Sequence, residues 1–301
     1  VVAGVDSDPA CRFAFEANNR AEFLQRDVSA LKVDELRNLF PVSGVKVLVG
    51  CAPCQPFSRY SRGRRDKKDL KWSLVEQFAR RVEGVRPDLV SMENVPGLAK
   101  QDVFRKFVRR LERYGYSVSH SVVFCPDYGI AQTRARLVLF ASLRGGPVRL
   151  LPASHSTNRY RTVRNVIARL PPLTSGQMDG KDPLHRACAL SERNLARIRA
   201  SRQGGHWRDW PAELRVSCHQ AEAGKNYVSV YGRMPWDAPA PTITTQFFGF
   251  GNGRFGHPDQ DRAISLREGA MLQSFPRSYR FAAPGDEVSI ATLGRLIGNA
   301  V

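Results

Sequence analysis

The chain has 301 residues with 42% hydrophobic content, enough for one large domain or one domain with a smaller companion. No apolar run approaches the ~18 residues that a membrane span needs. The opening "VVAGVDSDPA" has neither a basic n-region nor an apolar h-region, so a soluble intracellular protein is expected. Lys and Arg total 46 against 28 Asp and Glu, a formal net charge of +18. A surplus of that size points to a polyanionic partner, and nucleic acid is favoured because no basic amphipathic helix with a clean apolar face stands out.

The first half of the chain alternates strands and helices. "VVAGVD" reads as a strand and "PACRFAFEANN" as a short helix that begins with Pro9. "VKVLVG" (45–50) is a continuous apolar run of the buried parallel-strand kind. "WSLVEQFARRVE" (72–83) has helical periodicity, "PDLVSME" (87–93) reads as a second buried strand, and "VFRKFVRRLERYG" (103–115) as an amphipathic helix ending at Gly115. "YSVSHSVVF" and "RLVLFAS" are strands again. The alternation predicts an α/β fold with a doubly wound, mainly parallel sheet.

From about residue 150 the texture becomes irregular, with "LPPLTSGQMDGKDPLH" and "SRQGGHWRDWPAEL" rich in Pro, Gly, Trp and charge. A smaller domain is expected over roughly 151–245, between a catalytic domain at 1–150 and a return segment at 246–301 in which "SLREGAMLQSF" (265–275) is helical. The two tryptophans of "HWRDW" (206–210) are expected to be buried rather than to reach a ligand. His185 with Cys188, and Cys218 with His219, lack compact knuckle spacing, so no metal site is assigned. The six cysteines, Cys11, Cys51, Cys54, Cys125, Cys188 and Cys218, are expected to be reduced thiols.

The stretch "GCAPCQPFS" (50–58) carries the chemistry. It follows a strand, and in open α/β sheets ligands gather at the carboxyl ends of the strands. Pro53 and Pro56 bracket Cys54 and suit a rigid loop better than the helix interior a thioredoxin-type pair wants. A zinc site would want a second ligand pair, and no second C-x-x-C exists. A single nucleophilic thiol, Cys54, remains, with Cys51 read as structural. "MENVPG" places Glu93 at the end of the next strand, where a carboxyl in the same crevice can act as an acid.

With those residues in view, the sequence resembles the cytosine-C5 DNA methyltransferases. "GCAPCQPFS" looks like their Pro-Cys-Gln motif, "MENVPG" like Glu-Asn-Val, and "AQTRARLVLFAS" (131–142) like Gln-x-Arg-x-Arg. "RAISLREGAMLQSFP" (262–276) looks like the motif that supports the recognition domain, and "GNAV" (298–301) like the start of the last motif. The motifs stand in family order over nearly the whole chain. The resemblance implies a class I methyltransferase fold with a target-recognition domain and a modification methylase of a bacterial restriction–modification system, with base flipping. It implies that Cys54 adds to C6 of cytosine and that Glu93 holds N3 and N4. Arg134 and Arg136 would engage O2 and the anionic groups of the site.

The implied cofactor is S-adenosylmethionine. Asp6 matches the residue on the ribose hydroxyls and Asp27 the reader of the adenine amino group, with Ser7, Val28, Pro53, Leu74, Asn299 and Val301 in the same set. The implied partner is double-stranded DNA. Ser58, Arg59, Arg62, Arg64, Arg65, Lys67 and Lys68 of the basic segment would contact phosphates. A monomer in the cytoplasm, associated with the nucleoid, is expected. The family opens with a glycine-rich Phe-x-Gly-x-Gly loop that this sequence does not contain, so a fragment, a permuted or split enzyme, or a pseudoenzyme is expected. The alternatives are a catalytically silent DNA-binding module of the same fold and a transfer-RNA cytosine methyltransferase. The usual RNA enzymes place a second cysteine in the motif that here reads "MENV".

Overall fold

The computed structural model describes residues 1–51, 68–222 and 224–300, with the side chains of the helix at 68–85 described from Leu74 onward. These residues fall into two units, 1–124 with 135–152 and 125–134 with 153–300, so that 246–300 share a unit with 153–245. Among the described residues no helix is long and apolar enough to cross a membrane.

The first unit is built from two parallel strand pairs, each closed by a helical crossover, as parallel pairing requires. Strands β1 (Ala3–Asp6) and β2 (Glu22–Gln25) pair from Ala3↔Glu22 to Asp6↔Gln25, with helix α1 (Cys11–Asn19) between them. Helix α2 (Val33–Asn38) follows. Strand β3 (Val47–Gly50) pairs in parallel with β4 (Leu89–Asn94), crossing through α3 (Lys68–Val85). Helix α4 (Asp102–Arg113) leads to β5 (Ser117–Phe124), and β6 (Ala135–Ser142) runs antiparallel between β4 and β5. The larger sheet has the order β3-β4-β6-β5 and is mixed.

One face of that sheet is apolar and covered. Val90 and Met92 of β4 and Leu137, Leu139 and Ala141 of β6 pack with Val75, Phe78 and Val82 of α3 and Phe104, Phe107 and Leu111 of α4. Alternation then puts Ser91, Glu93, Arg136 and Val138 on the opposite face. The spacing of Phe104, Phe107 and Leu111 is the helical stripe expected of α4, and Gly115 takes φ +87° just beyond its end. Gly50 allows Phe78 to lie on the end of β3, since a Cβ there would sit 2.4 Å from the ring. The apolar run 45–50 is less buried than its composition predicts. Val47 and Val49 are 47% and 70% exposed because β3 is the first strand of its sheet and carries packing on one side.

The second unit is irregular in backbone but has a dense interior. Its helices are α5 (Val163–Ile167), α6 (Glu192–Arg199), α7 (Ser217–Gln220), α8 (Leu266–Leu272) and α9 (Ile290–Asn299). Val163, Ile167, Met234, Ile243, Phe247, Leu266, Leu272, Leu293 and Ile297 form its main cluster. Trp207 and Trp210 are buried with Ile198, Val230 and Phe250, as expected, and their indole N–H groups donate to Tyr227 O and Ser201 Oγ at 2.7 and 2.8 Å. The His185 ring is fully buried, with Nε2 on Pro171 O and Nδ1 on Ser265 Oγ, both at 2.8 Å.

A buried charge cluster fixes the start of α8. Arg262 donates two bonds to Glu268, at 2.7 and 2.8 Å, and Glu268 also accepts from Ser265 N at 2.6 Å in a capping box. The His257 ring lies beside Glu268, and its Nδ1 accepts from the backbone N–H of Asp259 and Gln260 at 3.2 and 3.0 Å. Burial first, with Arg262 and Arg233 nearby, pushes His257 down to about 4 against the pull of Glu268 and Asp259. Arg262 and the Ser265 N–H hold Glu268 below the usual carboxylate range despite its burial.

Both shifts make the unfolded chain the better proton binder at low pH. Stability is therefore expected to fall as pH drops from about 6.5 through 4, by up to ~1.4 kcal/mol per pH unit for the histidine. Urea unfolding at a series of pH values measures this. His257→Asn, which keeps an acceptor but does not titrate, is expected to flatten the upper part of that slope.

Candidate active site at the carboxyl ends of the strands

The strand registers assemble the site in the first unit. Gly50 is opposite Met92 in the parallel ladder, so the next residue, Cys51, continues toward Glu93 on the same face. Glu93 is opposite Val138 in the antiparallel ladder, which makes Arg136, two residues back, its diagonal neighbour. The side chains meet accordingly. Arg136 Nε forms an ion pair with Glu93 Oε1, and the Cys51 thiol donates to Glu93 Oε2 at 3.1 Å. A second arm of the Arg136 guanidinium donates to Ala135 O at 2.8 Å. Glu93 and Arg136 side chains are each 18% exposed, so the pair is largely withdrawn from water yet reachable. Asn94, next along β4, is buried and accepts from Val95 N–H at 3.0 Å, fixing the exit of the strand.

The smaller sheet presents two exposed carboxylates at its carboxyl end. Asp6 closes β1 and accepts from Asp8 N–H at 2.8 Å, with Ser7 exposed beside it. Asp27, just beyond β2, accepts from Ser29 N–H at 2.7 Å and Ser29 Oγ at 2.6 Å, bonds that lower its pKa. The turn after Asp27 is tied to α3 by Arg81, which donates to Val28 O at 2.6 Å and Ser29 O at 3.0 Å. Arg81 is only 8% exposed, and burial pulls its pKa down. Leu74, also on α3, is half-buried against the main cluster of this unit. Exposed carboxylate acceptors on adjacent parallel strands suit the hydroxyl and amino donors of an adenosine-type group, so the residues present fit such a ligand.

In the second unit, Arg134 Nη1 donates to Ile243 O at 3.4 Å and Nη2 to Ala300 O at 3.3 Å. Asn299 ends α9 and is exposed. Cys54, Pro53, Ser58, Arg59, Arg62, Arg64, Arg65, Lys67 and Val301 lie outside the described residues, and Lys68 is described only as the first residue of α3.

Three residues have roles here that sequence reasoning misses. Gln132 is fully buried and donates to Leu272 O at 3.2 Å and Gln273 Oε1 at 2.7 Å, while its own Oε1 accepts from Ile243 N–H at 2.9 Å. It fastens the loop before β6 to α8 and to the 240–243 segment. The sequence does flag it, as the first residue of the Gln-x-Arg-x-Arg motif, but the motif carries no sign of these partners. Arg81 stands in a helix stripe where an arginine reads as solvent-facing. Cys51, read as structural, has its thiol on Glu93 instead.

The chain has the class I methyltransferase architecture, an α/β sheet whose polar side chains gather at the strand ends. The fold is similar to that of the Entamoeba histolytica methyltransferase EhMeth, with a TM-score of 0.65 at 13% identity over 99% of this chain and 85% of that one. The model of the C-5 cytosine-specific DNA methylase family matches residues 1–301, and the chain belongs to that family. It is 51% identical to the Type II methylase M.HgiDII of Herpetosiphon aurantiacus over 100% of this chain and 85% of that protein. It is 32% identical to the Type II methyltransferase M1.BsuMI of Bacillus subtilis over 90% of this chain and 61% of that protein.

Arg81→Met is expected to release the turn at Val28 and Ser29. Hydrogen exchange of the amides just after Asp27 should rise, and unfolding stability should fall by about 1.5–3 kcal/mol, the range for hydrogen bonds that involve a charged group.

Proposed function

We propose that this chain methylates C5 of a cytosine held outside the DNA duplex, through a covalent bond between Cys54 and C6 of the base. The observation that carries the reading is Glu93, paired with Arg136 and Cys51 at the carboxyl end of β4, beside β3, whose last residue precedes Cys54 by four positions in the sequence. Thiolate addition at C6 pushes electron density through the ring onto C5. Glu93 hydrogen-bonds N3 and N4, supplying the proton that stabilises that anion, and Arg136 keeps the carboxyl in place. Once C5 has taken the methyl group, a base removes the C5 proton, N3 returns its proton to Glu93 and the Cys54 thiolate leaves, which restores the ring. S-adenosylmethionine, when bound, supplies the electrophilic methyl group. Asp6 and Asp27 would hold its ribose hydroxyls and adenine amino group, with Ser7, Val28, Pro53, Leu74, Asn299 and Val301 around it.

The partner in this reading is double-stranded DNA, and the target must be flipped for Cys54 to reach it. In this reading the segment 151–245 serves target recognition and 246–301 returns to the catalytic function, although 246–300 pack in one unit with 153–245. Arg134 supports the 131–136 segment through Ile243 and Ala300. The Type II names of the two relatives support a place in a restriction–modification system. The enzyme would act as a cytoplasmic monomer at the nucleoid.

DNA carrying 5-fluorocytosine is expected to trap a denaturation-resistant complex in the presence of S-adenosylmethionine, because fluorine cannot leave as the proton does. Cys54→Ala should abolish trapping and Cys51→Ala should not. Trapping that follows Cys51, or tight DNA binding with no methyl transfer by the unmodified chain, overturns the reading in favour of a different nucleophile or of a silent binding module.

The basic segment gives a second expectation. Neutralising Arg62, Arg64 and Arg65 together should reduce the slope of log affinity against log salt by about 0.9 for each DNA phosphate that no longer has a cation beside it. Fluorescence anisotropy over a salt series reads it directly.

A further inference from the structure

We infer that Cys51 is a positioning residue for Glu93, its thiol fixing the plane of the carboxyl that meets the base. The inference rests on Glu93 being the acid of the proposed reaction. The terminal torsion of a glutamate is broad, so one partner leaves its carboxyl free to turn. Here each oxygen has a separate partner on a separate strand: Arg136 of β6 on Oε1 and Cys51, at the end of β3, on Oε2 at 3.1 Å. The two ladders put both partners on the face that α3 and α4 leave uncovered. A thiol is a weak donor, so a base N–H arriving at Oε2 displaces it with little loss, whereas a second cation there would compete with the base. Cys51 is exposed, so shortening its side chain opens no internal cavity.

The experiment is steady-state methyl transfer across a pH series with the wild-type chain, Cys51→Ala and Cys51→Ser. Loss of the thiol is expected to lower kcat about tenfold and to move the pH profile of kcat, with KM for DNA changed less than about twofold. A misaimed catalytic group loses rate rather than affinity. Serine keeps a donor at the same place and should restore most of the rate. Equal kcat and equal pH profiles for wild type and Cys51→Ala overturn the inference and leave the proposed reaction standing.

A second measurement needs no turnover. In a Cys54→Ser background, iodoacetamide labelling of Cys51 is followed by peptide mass spectrometry with and without Glu93→Gln. A carboxylate against the sulfur disfavours the reactive thiolate, so the glutamine variant should label several-fold faster. An unchanged rate overturns the thiol–carboxylate bond. If wild type transfers no methyl group while labelling still answers to Glu93→Gln, the proposed reaction fails and the positioning role with it, and only the bond between the two side chains stands.

Discussion

The register of β4 between its two neighbours is the constraint on which the site depends. Glu93 sits opposite Val138 on one side and one step beyond the Gly50–Met92 pair on the other. A slip of one residue would turn its carboxyl onto the face packed against α3 and α4 and separate it from Arg136 and Cys51. What holds the register is the buried face. Val90, Met92, Leu137, Leu139 and Ala141 are all at most 1% exposed, and they interlock with the helices in a single arrangement. The apolar layer therefore decides where the charge goes. The ion pair at Glu93 is a consequence of packing on the far side of the sheet and contributes little to creating it.

The second unit solves a harder problem by different means. Its backbone has few ladders, so buried carbonyls and N–H groups need other partners. Gln132 satisfies three backbone or side-chain groups from two segments, and Gln273 extends the chain of bonds to Ile297 O at 2.9 Å. Arg262 and Glu268 serve the capping of α8, and removing either one would strand the other's charge in a dry interior at a cost of about 3–5 kcal/mol. Where repeated backbone pairing is missing, single polar side chains with several partners each take its place.

The legible parts of the sequence are those with a period. β4, β5, β6, α3 and α4 stand where alternation and helical stripes put them. The four residues of β2, "EFLQ", carry too little pattern to be read, and α2 has a single buried residue. Among site residues, Glu93 is legible because strand ends in α/β sheets are where ligands gather. Arg81, Gln132 and Cys51 are not, for one reason. Their roles are set by partners 42 to 141 positions away, as with Cys51 to Glu93 and Gln132 to Gln273. A polar residue meeting a distant partner leaves no local periodicity. The exposure of Val47 and Val49 is hidden in the same way, since the place of β3 in the sheet order is a property of the whole fold.

The net charge of +18 invites reading every arginine as a nucleic-acid contact, and the structure divides that surplus. Arg81, Arg197, Arg233, Arg262 and Arg267 are buried. Arg233 alone donates to Ile198 O, Ser201 O, His257 O and Gln260 O, and Arg197 donates to Leu214 O at 2.8 Å. A guanidinium carries five donors in a rigid fork, which makes it the natural clamp for carbonyls that no ladder satisfies. Arg81 is committed to the turn after Asp27 in the first unit, and the other four hold the irregular unit together. Lysine, with one compact ammonium, would not replace them, and an arginine-rich composition follows from an irregular backbone as well as from a polyanionic partner. A DNA partner is therefore indicated more by where the cations cluster in the sequence, at 59–68 directly after the Pro-Cys-Gln motif, than by their number.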